Sequence, residues 1–438
     1  MTATPPTRLP RQLGVFAAVM LGLGSIVGTG VFVSTGLAAG VAGPSAILAV
    51  ILAAGLATCN GLSSAQLASA HAVAGGTYEY GYRFLRPGWG FLAGWMFLAA
   101  KTASAATAAL GFAGYGLHLV APDRPDLQTP VALAVTLLLT LLVLAGMKRT
   151  SRANTAIVCV TLTALLAFIA AGLPTALERS RHTFTPFFPA DQPPLAGLLH
   201  ATALMFVAYT GYGRIATLGE EVRRPRQSIP AAILITLAIS AVLYVGVVGV
   251  AIGVAGAQAF EQAAQQQAAP LQVIAMQFPH AGRATAALVA IGAMTAMLGV
   301  LLNLILGLSR VVLAMGRRGD LPRALGALSP RGTPAAAVIL TGLLIATLTL
   351  IGSVKANWSF SAFTVLIYYG ITNAAALRLP PERRLYRPWW AWMGLIGCLF
   401  LAFWVEPVYW GVGLILIAIG LAWHRIAQRL ASSKVNPS

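Results

Sequence analysis

Twelve apolar runs, each about as long as a membrane-spanning helix, follow one another along this chain and restrict its fold more than any other feature. A spanning helix needs about 20 apolar residues. Hydrophobic residues make up 58% of the 438 residues and charged residues only 9%, whereas soluble domains carry about 25% charged residues. We therefore expect an all-α polytopic membrane protein with spans at 13–37, 43–68, 88–118, 130–147, 153–173, 195–218, 229–254, 282–309, 334–353, 359–377, 388–405 and 407–424.

The basic residues lie mainly on one side of the predicted membrane. Twelve spans place both chain ends on the same side, and the loops there hold 22 of the 29 lysines and arginines, against five in the opposite loops. Such asymmetry marks the cytoplasmic face, so residues 1–12 and 425–438 are predicted to be cytoplasmic tails in a bacterial-type inner membrane. The same distribution explains the net charge of +18 without a nucleic-acid partner, which would need a clustered basic patch.

Residues that support covalent or metal chemistry are sparse. All eleven acidic residues fall in loops or near span ends, and the six histidines and three cysteines are scattered. Glycosidases, proteases and metal sites need grouped carboxylates, histidines or cysteines. We therefore expect no metal site, no catalytic residue and no cofactor, and a polytopic membrane enzyme is the remote alternative.

The first apolar run contains GLGSIVGTGVF, which places four glycines in the middle of a membrane-length helix. A dinucleotide-binding fingerprint needs a preceding strand, and a P-loop needs Gly-Lys-Ser/Thr; the run has neither. Gly24 and Gly28 form a G-x-x-x-G pair, which also suits close helix packing. Alternatively, Gly28, Thr29 and Gly30 interrupt the helix and free backbone groups, which membranes tolerate only where such groups line a cavity or bind a ligand.

A second interruption is predicted in the sixth run, where FVAYTGYG places Gly211 and Gly213 at mid-membrane. Paired interruptions in corresponding spans are typical of inverted structural repeats. An odd number of spans per repeat forces the second repeat into the opposite topology. The predicted organisation is therefore two five-span repeats followed by two further spans, at 13–173, 195–377 and 388–424.

Four segments together resemble the amino acid–polyamine–organocation (APC) permeases, in the bacterial branch related to cationic amino acid transporters. The segments are GSIVGTGVF, GGTYEYGYRFL (75–85), FVAYTGYGRIATLGEEVRRPRQSIPAAI (206–233) and SRVVLAMGRRGDLPRAL (309–325), and their order and spacing match over about 13–380. The resemblance implies the leucine-transporter fold, with twelve transmembrane helices, a 5+5 inverted repeat and broken helices 1 and 6. It also implies alternating access to a substrate held between those two helices.

The resemblance further implies which residues contact the substrate. Backbone amides in span one would hold its carboxylate and nearby carbonyls its ammonium group, while span six would contact the ammonium group and the side chain. The implied contacts are Ser25, Ile26, Gly28, Thr29 and Gly30 in span one, and Val207, Ala208, Thr210 and Gly211 in span six.

The chain departs from the family pattern at two positions. Family members often carry an aromatic gate where Val207 stands and an acidic residue where Gly213 stands. The gate would then come from Phe206 or Tyr209, or the pocket would admit a bulkier side chain. Without a carboxylate near the site, a cationic substrate side chain would lack its counter-charge.

Two basic residues fall inside predicted spans. Lys101 lies near the midplane of span three, where a charged side chain is costly and marks a functional site; a snorkelling lysine, or one satisfied by carbonyls, is the structural alternative. Related proton-coupled permeases carry a lysine in span five, which this chain lacks, so Lys101 is the candidate for proton coupling. Arg214 follows the second interruption and either pairs with Glu220 or Glu79 or attracts an anionic substrate group.

These observations predict a secondary active transporter that moves amino acids, with neutral zwitterions favoured and the proton as coupling ion. The alternative is an exchanger for acidic or other anionic substrates that uses Lys101 and Arg214. A channel or receptor fits paired broken helices less well, because such helices suit alternating access. The expected partners are the amino acid and the lipid bilayer, and the sequence leaves the oligomeric state open.

Overall fold

A computed structural model of the chain describes residues 13–71, 75–146, 151–189, 193–216, 222–279, 281–330 and 332–433. Within these ranges the regular secondary structure is helical, apart from an isolated bridge between Leu13 and Val222. The prediction of an all-α protein is therefore confirmed. The α-helices are α1 (Val15–Ile26), α2 (Thr35–Ala42), α3 (Ala46–Ala70), α4 (Thr77–Phe84), α5 (Pro87–Val120), α6 (Gln128–Leu144), α7 (Ser151–Thr183), α8 (Pro194–Tyr209), α9 (Gly213–Ala216), α10 (Pro225–Ala255), α11 (Ala257–Gln266), α12 (Pro270–Ala275), α13 (Gly282–Arg318), α14 (Ala335–Ile351), α15 (Val354–Leu377), α16 (Pro388–Ala402) and α17 (Pro407–Ser433).

Nine helical stretches within the described ranges are long and apolar enough to cross a membrane, and α1, α14 and α16 are shorter apolar helices. One of the nine, Gly30–Ala70, contains a sharp turn at Gly43, whose φ of +61° favours glycine. Burial separates central from peripheral helices, because 83% of the most apolar window of α5 is buried against 17% for α17. Large side chains such as Leu138 and Ile415 are exposed, as expected of helices that face lipid.

The first predicted interruption is present in the structure. α1 ends just before Val27, whose backbone is extended with φ −80° and ψ 95°, and the chain resumes as a π-helical turn over Gly30–Ser34 before α2. Non-helical backbone thus begins one residue earlier than the glycines indicate. The reason is that the Gly28 carbonyl already accepts hydrogen bonds from the amides of Val31 and Phe32, so Gly28 belongs to the outer segment.

The second interruption is tighter than the first. A 3₁₀ turn over Thr210–Tyr212 separates α8 from the short α9. Such a turn keeps a helical path but changes the hydrogen-bond spacing. The two interruptions therefore differ in backbone conformation: the first contains an extended residue, Val27, and the second is a 3₁₀ turn.

A buried carboxylate joins three elements at one end of the bundle. Asp320, which is 5% exposed, follows α13 and accepts hydrogen bonds of 2.7 Å from Tyr78 and Tyr82 of α4. Trp423 of α17 donates its indole N–H to the Asp320 carbonyl oxygen at 2.7 Å. Burial, together with the adjacent carboxylate, raises the pKa of both tyrosine hydroxyls, so both remain hydrogen-bond donors near neutral pH. The loop helix α4 is thereby fixed to α13 and α17.

Candidate functional site

A cavity of about 50 Å³ lies where the two interrupted helices meet. One water molecule needs roughly 10–15 Å³ on the same scale, so the cavity accommodates a few water-sized groups. Nine of the twelve residues predicted for substrate binding and coupling lie in its wall. The lining consists of Ser25, Ile26, Thr29, Gly30, Lys101, Ser104, Val207, Ala208, Thr210, Gly211, Val300, Leu304 and Trp358.

Two glycines allow the interrupted helices to approach each other at this cavity. A β-carbon on Gly30 would lie 2.5 Å from the β-carbon of Ala208, and a β-carbon on Gly211 would collide with the Ser25 carbonyl group. The same β-carbon would lie 2.6 Å from the backbone nitrogen of Ile26. A residue with a side chain does not fit at either position without a shift, because the two helix backbones lie too close together there.

Tyr244 of α10 holds the two interrupted helices together. Its hydroxyl, which is fully buried, lies 2.9 Å from the Ile26 carbonyl oxygen and 3.2 Å from the Ala208 carbonyl oxygen, and donates its proton between them. Both carbonyls belong to the last turns of their helices, where backbone acceptors lose their helical partners. Tyr244 therefore satisfies helix ends that the interruptions create, and no sequence signal distinguished it from other buried tyrosines.

The Lys101 side chain reaches the second interruption. Its Nζ donates a hydrogen bond of 2.7 Å to Thr210 Oγ1, which in turn donates to the Val207 carbonyl oxygen at 2.7 Å. The Thr210 carbonyl accepts a hydrogen bond of 3.1 Å from the Tyr369 hydroxyl. Among the described residues the cavity lining contains no aspartate or glutamate, and the hydrogen-bond partner of the Lys101 ammonium group is the Thr210 hydroxyl.

Thr29 presents an unsatisfied polar atom at the first interruption. Its Oγ1 is buried and makes no hydrogen bond within the part of the chain that the structure describes. A buried hydroxyl without a partner costs free energy unless a ligand or water supplies one. This atom is therefore available to a bound molecule.

Four lining residues were not predicted from the sequence. Val300 and Leu304 of α13 and Trp358 of α15 form an apolar wall, and Ser104 of α5 adds a hydroxyl. The Trp358 indole N–H donates to the Leu204 carbonyl oxygen at 3.0 Å, which fixes the ring. These residues carry no motif, and a lone aliphatic or aromatic residue in a span resembles any core residue.

Three predicted site residues lie outside the cavity wall. A β-carbon on Gly28 would lie 2.7 Å from Val300 Cγ2, so Gly28 packs behind the lining. Phe206 is buried edge-on against Tyr369, with 5.7 Å between ring centres. Arg214 is exposed beyond the second interruption, and of its two predicted partners Glu220 lies outside the described residues, while Glu79 pairs with Arg318 at 2.8 Å.

Neither candidate for an aromatic gate lines the cavity. Tyr209 is buried and donates its hydroxyl proton to the Val50 carbonyl oxygen at 3.3 Å, and Phe206 faces Tyr369. Trp358 supplies the aromatic surface of the cavity from α15 instead. The aromatic group thus comes from a different helix, since Phe206 and Tyr209 make their contacts with Tyr369 and Val50 instead.

Interrupted helices that meet at a cavity, within a bundle of helices with exposed apolar side chains, are typical of polytopic membrane transporters. The amino acid permease family matches residues 17–436, and the chain belongs to this family. The resemblance to APC permeases read from the sequence is thereby confirmed, as is the expectation of a multi-pass membrane protein.

Three relatives illustrate the range of the similarity. An uncharacterized transporter of Mycobacterium tuberculosis (strain ATCC 25618 / H37Rv) is 38% identical over 425 residues, which cover 97% of this chain and 92% of the relative. The branched-chain amino acid permease BcaP of Bacillus subtilis (strain 168) is 30% identical over 358 residues, or 78% of this chain and 74% of the permease. The vacuolar cationic amino acid transporter 4 of Arabidopsis thaliana is 27% identical over 363 residues, which cover 78% of this chain and 59% of that transporter.

Proposed function

We propose that the chain is a secondary active transporter that moves neutral, zwitterionic amino acids across a bacterial-type cytoplasmic membrane by alternating access. The cavity at the two interruptions carries this proposal, because its described lining combines polar groups suited to a zwitterion with an apolar surface and includes no acidic residue. A substrate side chain with a positive charge would find no counter-charge there. The relative named as a branched-chain amino acid permease is consistent with this substrate class.

The proposal includes a twelve-span topology. α1 with the segment up to Ala42 would form span one and α3 span two, and the remaining long and short apolar helices would supply the other ten. The excess of basic residues on one side supports cytoplasmic chain ends. The proposed units are the two inverted repeats, the final pair of spans and the two tails, at 13–173, 195–377, 388–424, 1–12 and 425–438.

The geometry suggests how a zwitterion would be held. The outer segment of span one begins at the first interruption, and the amides at the start of a helix carry positive partial charge that suits a carboxylate. The free Thr29 hydroxyl would add a hydrogen bond. The carbonyl end of α1, at Ser25 and Ile26, would face the ammonium group, and the substrate side chain would contact Val300 and Trp358.

We further propose that the proton is the coupling ion and that Lys101 exchanges it. An ammonium group at membrane depth is costly, and this one contacts Thr210 at the interruption in span six. A change in its protonation would alter that contact and bias the arrangement of the interrupted helix. Substrate and proton affinities would then depend on each other to the same degree.

A second candidate function is exchange of acidic or other anionic substrates. Lys101 favours it, because a cationic side chain in a cavity wall whose described residues include no carboxylate would attract a second negative group. The two candidates differ in which amino acid competes best.

Uptake of labelled leucine into proteoliposomes would separate the two candidates. Excess unlabelled alanine or isoleucine should inhibit uptake strongly under the first proposal, and lysine, arginine and polyamines only weakly. Glutamate or aspartate as the strongest competitor would favour the anionic exchanger instead. Arginine as the strongest competitor would contradict both.

A further inference from the structure

Five exposed arginines gather at one corner of the protein, where α4, α15 and α16 meet. One lies in the last turn of α4 and one just before α5, one ends α15, and two lie in the segment that precedes α16. They are Arg83, Arg86, Arg378, Arg383 and Arg387. The excess of basic residues on this side accounts for their presence in loops but not for their convergence.

A small apolar cluster brings the two groups of arginines to one face. Tyr80 of α4, Leu379, which follows α15, and Ala391 of α16 belong to one cluster of buried residues. Arg384, a sixth arginine, is partly buried and donates hydrogen bonds to the carbonyl oxygens of Leu379 at 2.8 Å and Leu377 at 3.1 Å. The segment between α15 and α16 is therefore held against the bundle, and its exposed arginines point outward from a fixed base.

The five exposed guanidinium groups have no carboxylate partner in the part of the chain that the structure describes. Its ion pairs join Arg124 to Asp126, Arg318 to Glu79, Lys355 to Glu406 and His424 to Asp320. Glu382 is the acidic residue within the segment before α16. The corner consequently carries a clear excess of positive charge that its own side chains do not neutralise.

Three exposed tryptophans flank these arginines. Trp89, Trp389 and Trp392 are 51%, 44% and 53% exposed, and Trp389 stacks on Trp390 with 3.9 Å between ring centres. The indole N–H groups of three other tryptophans donate to backbone carbonyls, whereas no hydrogen bond among the described residues uses those of the exposed three. Exposed tryptophans are enriched at the membrane–water interface, so arginines beside them would lie at the depth of the lipid headgroups.

We propose that this arginine–tryptophan corner, formed by Arg83, Arg86, Arg378, Arg383, Arg387, Trp89, Trp389 and Trp392, binds the headgroups of anionic phospholipids. A guanidinium group holds a phosphate through two parallel hydrogen bonds. Basic clusters next to spanning helices attract anionic lipids, and the free indole N–H groups offer further donors to phosphate or glycerol oxygens. A soluble anion would leave the three indole rings exposed, whereas a lipid surrounds them.

The position of the corner links lipid binding to the cavity helices. α5 begins at Pro87 and carries Lys101, and α15 ends at Leu377 and carries Trp358. A bound headgroup would bridge the ends of these two helices, one from each predicted repeat. The inference concerns lipid recognition and holds whichever substrate the cavity takes.

Lipid titration of purified protein in a neutral detergent tests the proposal. The test variant removes three arginines, Arg378→Gln with Arg383→Gln and Arg387→Gln. The control removes three exposed arginines elsewhere, Arg181→Gln with Arg283→Gln and Arg425→Gln. Phosphatidylglycerol should raise the thermal midpoint of the native protein and of the control more than phosphatidylcholine does. Binding measured by native mass spectrometry should weaken about fivefold per arginine removed, or roughly 100-fold in the test variant.

Three results would overturn the proposal: an unchanged phosphatidylglycerol response in the test variant, an equal loss in the control, or equal stabilisation by inorganic phosphate. If the triple variant fails to fold, Arg83→Gln with Arg86→Gln removes the two arginines that α4 and the start of α5 contribute to the corner. At about fivefold per arginine, the affinity of that variant for phosphatidylglycerol should fall about 25-fold. An unchanged affinity would refute the proposal. All of these readouts are independent of transport.

Discussion

Replacing Gly211 with alanine is expected to suppress transport in a protein that still folds. The added β-carbon would collide with the Ser25 carbonyl group and lie 2.6 Å from the Ile26 backbone nitrogen. Both obstacles are backbone atoms, so no side-chain rotation relieves the clash. Overpacking of this kind costs about 1–3 kcal/mol, and a difference of that size corresponds to roughly a 5- to 150-fold shift between two conformations. The shift disfavours the arrangement in which the interrupted helices meet.

Uptake into proteoliposomes and thermal unfolding of the same preparations would measure this effect. We expect the initial rate of leucine uptake by Gly211→Ala to fall at least about fivefold and the thermal midpoint to decrease. Gly55→Ala in α3 is the matched control, because a β-carbon there meets no atom within 4 Å. Its helix should gain up to about 1 kcal/mol from the better propensity of alanine, with uptake unchanged.

Normal uptake together with an unchanged thermal midpoint in Gly211→Ala would refute the close approach of the two interruptions. Normal uptake with a lowered thermal midpoint would support the close approach of the two interruptions but show that it contributes to stability and not to transport. Either result would remove Gly211 from the transport mechanism.

Three further predictions concern named hydrogen bonds. Lys101→Met should uncouple uptake from an inward proton gradient while substrate exchange persists, and Lys101→Arg should fail to restore coupling because arginine keeps its proton; full gradient-driven accumulation by Lys101→Met would contradict the coupling role. Tyr244→Phe should lower stability by about 1 kcal/mol and slow uptake, since two helix-end carbonyls lose their donor. Asp320→Ala should lower the thermal midpoint more than Tyr82→Phe, because it leaves the buried Tyr78 hydroxyl and the partly buried Tyr82 hydroxyl without their acceptor; the reverse order would refute the network.

Much of this protein could be predicted from the sequence, because each signal is local to a short stretch. A run of apolar residues forms a helix in lipid without help from distant residues, since every backbone group must be satisfied within the segment. Glycines at mid-span locate the interruptions by an equally local effect, because each glycine weakens the helix at its own position. Nine of the thirteen lining residues come from the two interruptions and from Lys101, whose charge is conspicuous inside an apolar run.

The tertiary structure decided which other residues complete the cavity. Val300, Leu304 and Trp358 line the cavity from α13 and α15, and Tyr244 of α10 joins the ends of the interrupted helices beside it. Each is one apolar or aromatic residue among many. A membrane helix that is apolar on all sides has no polar face to tell lipid-facing from buried positions. Their place at the cavity depends on how the helices rotate and pack against one another, and that is set by close contacts between segments far apart in the chain.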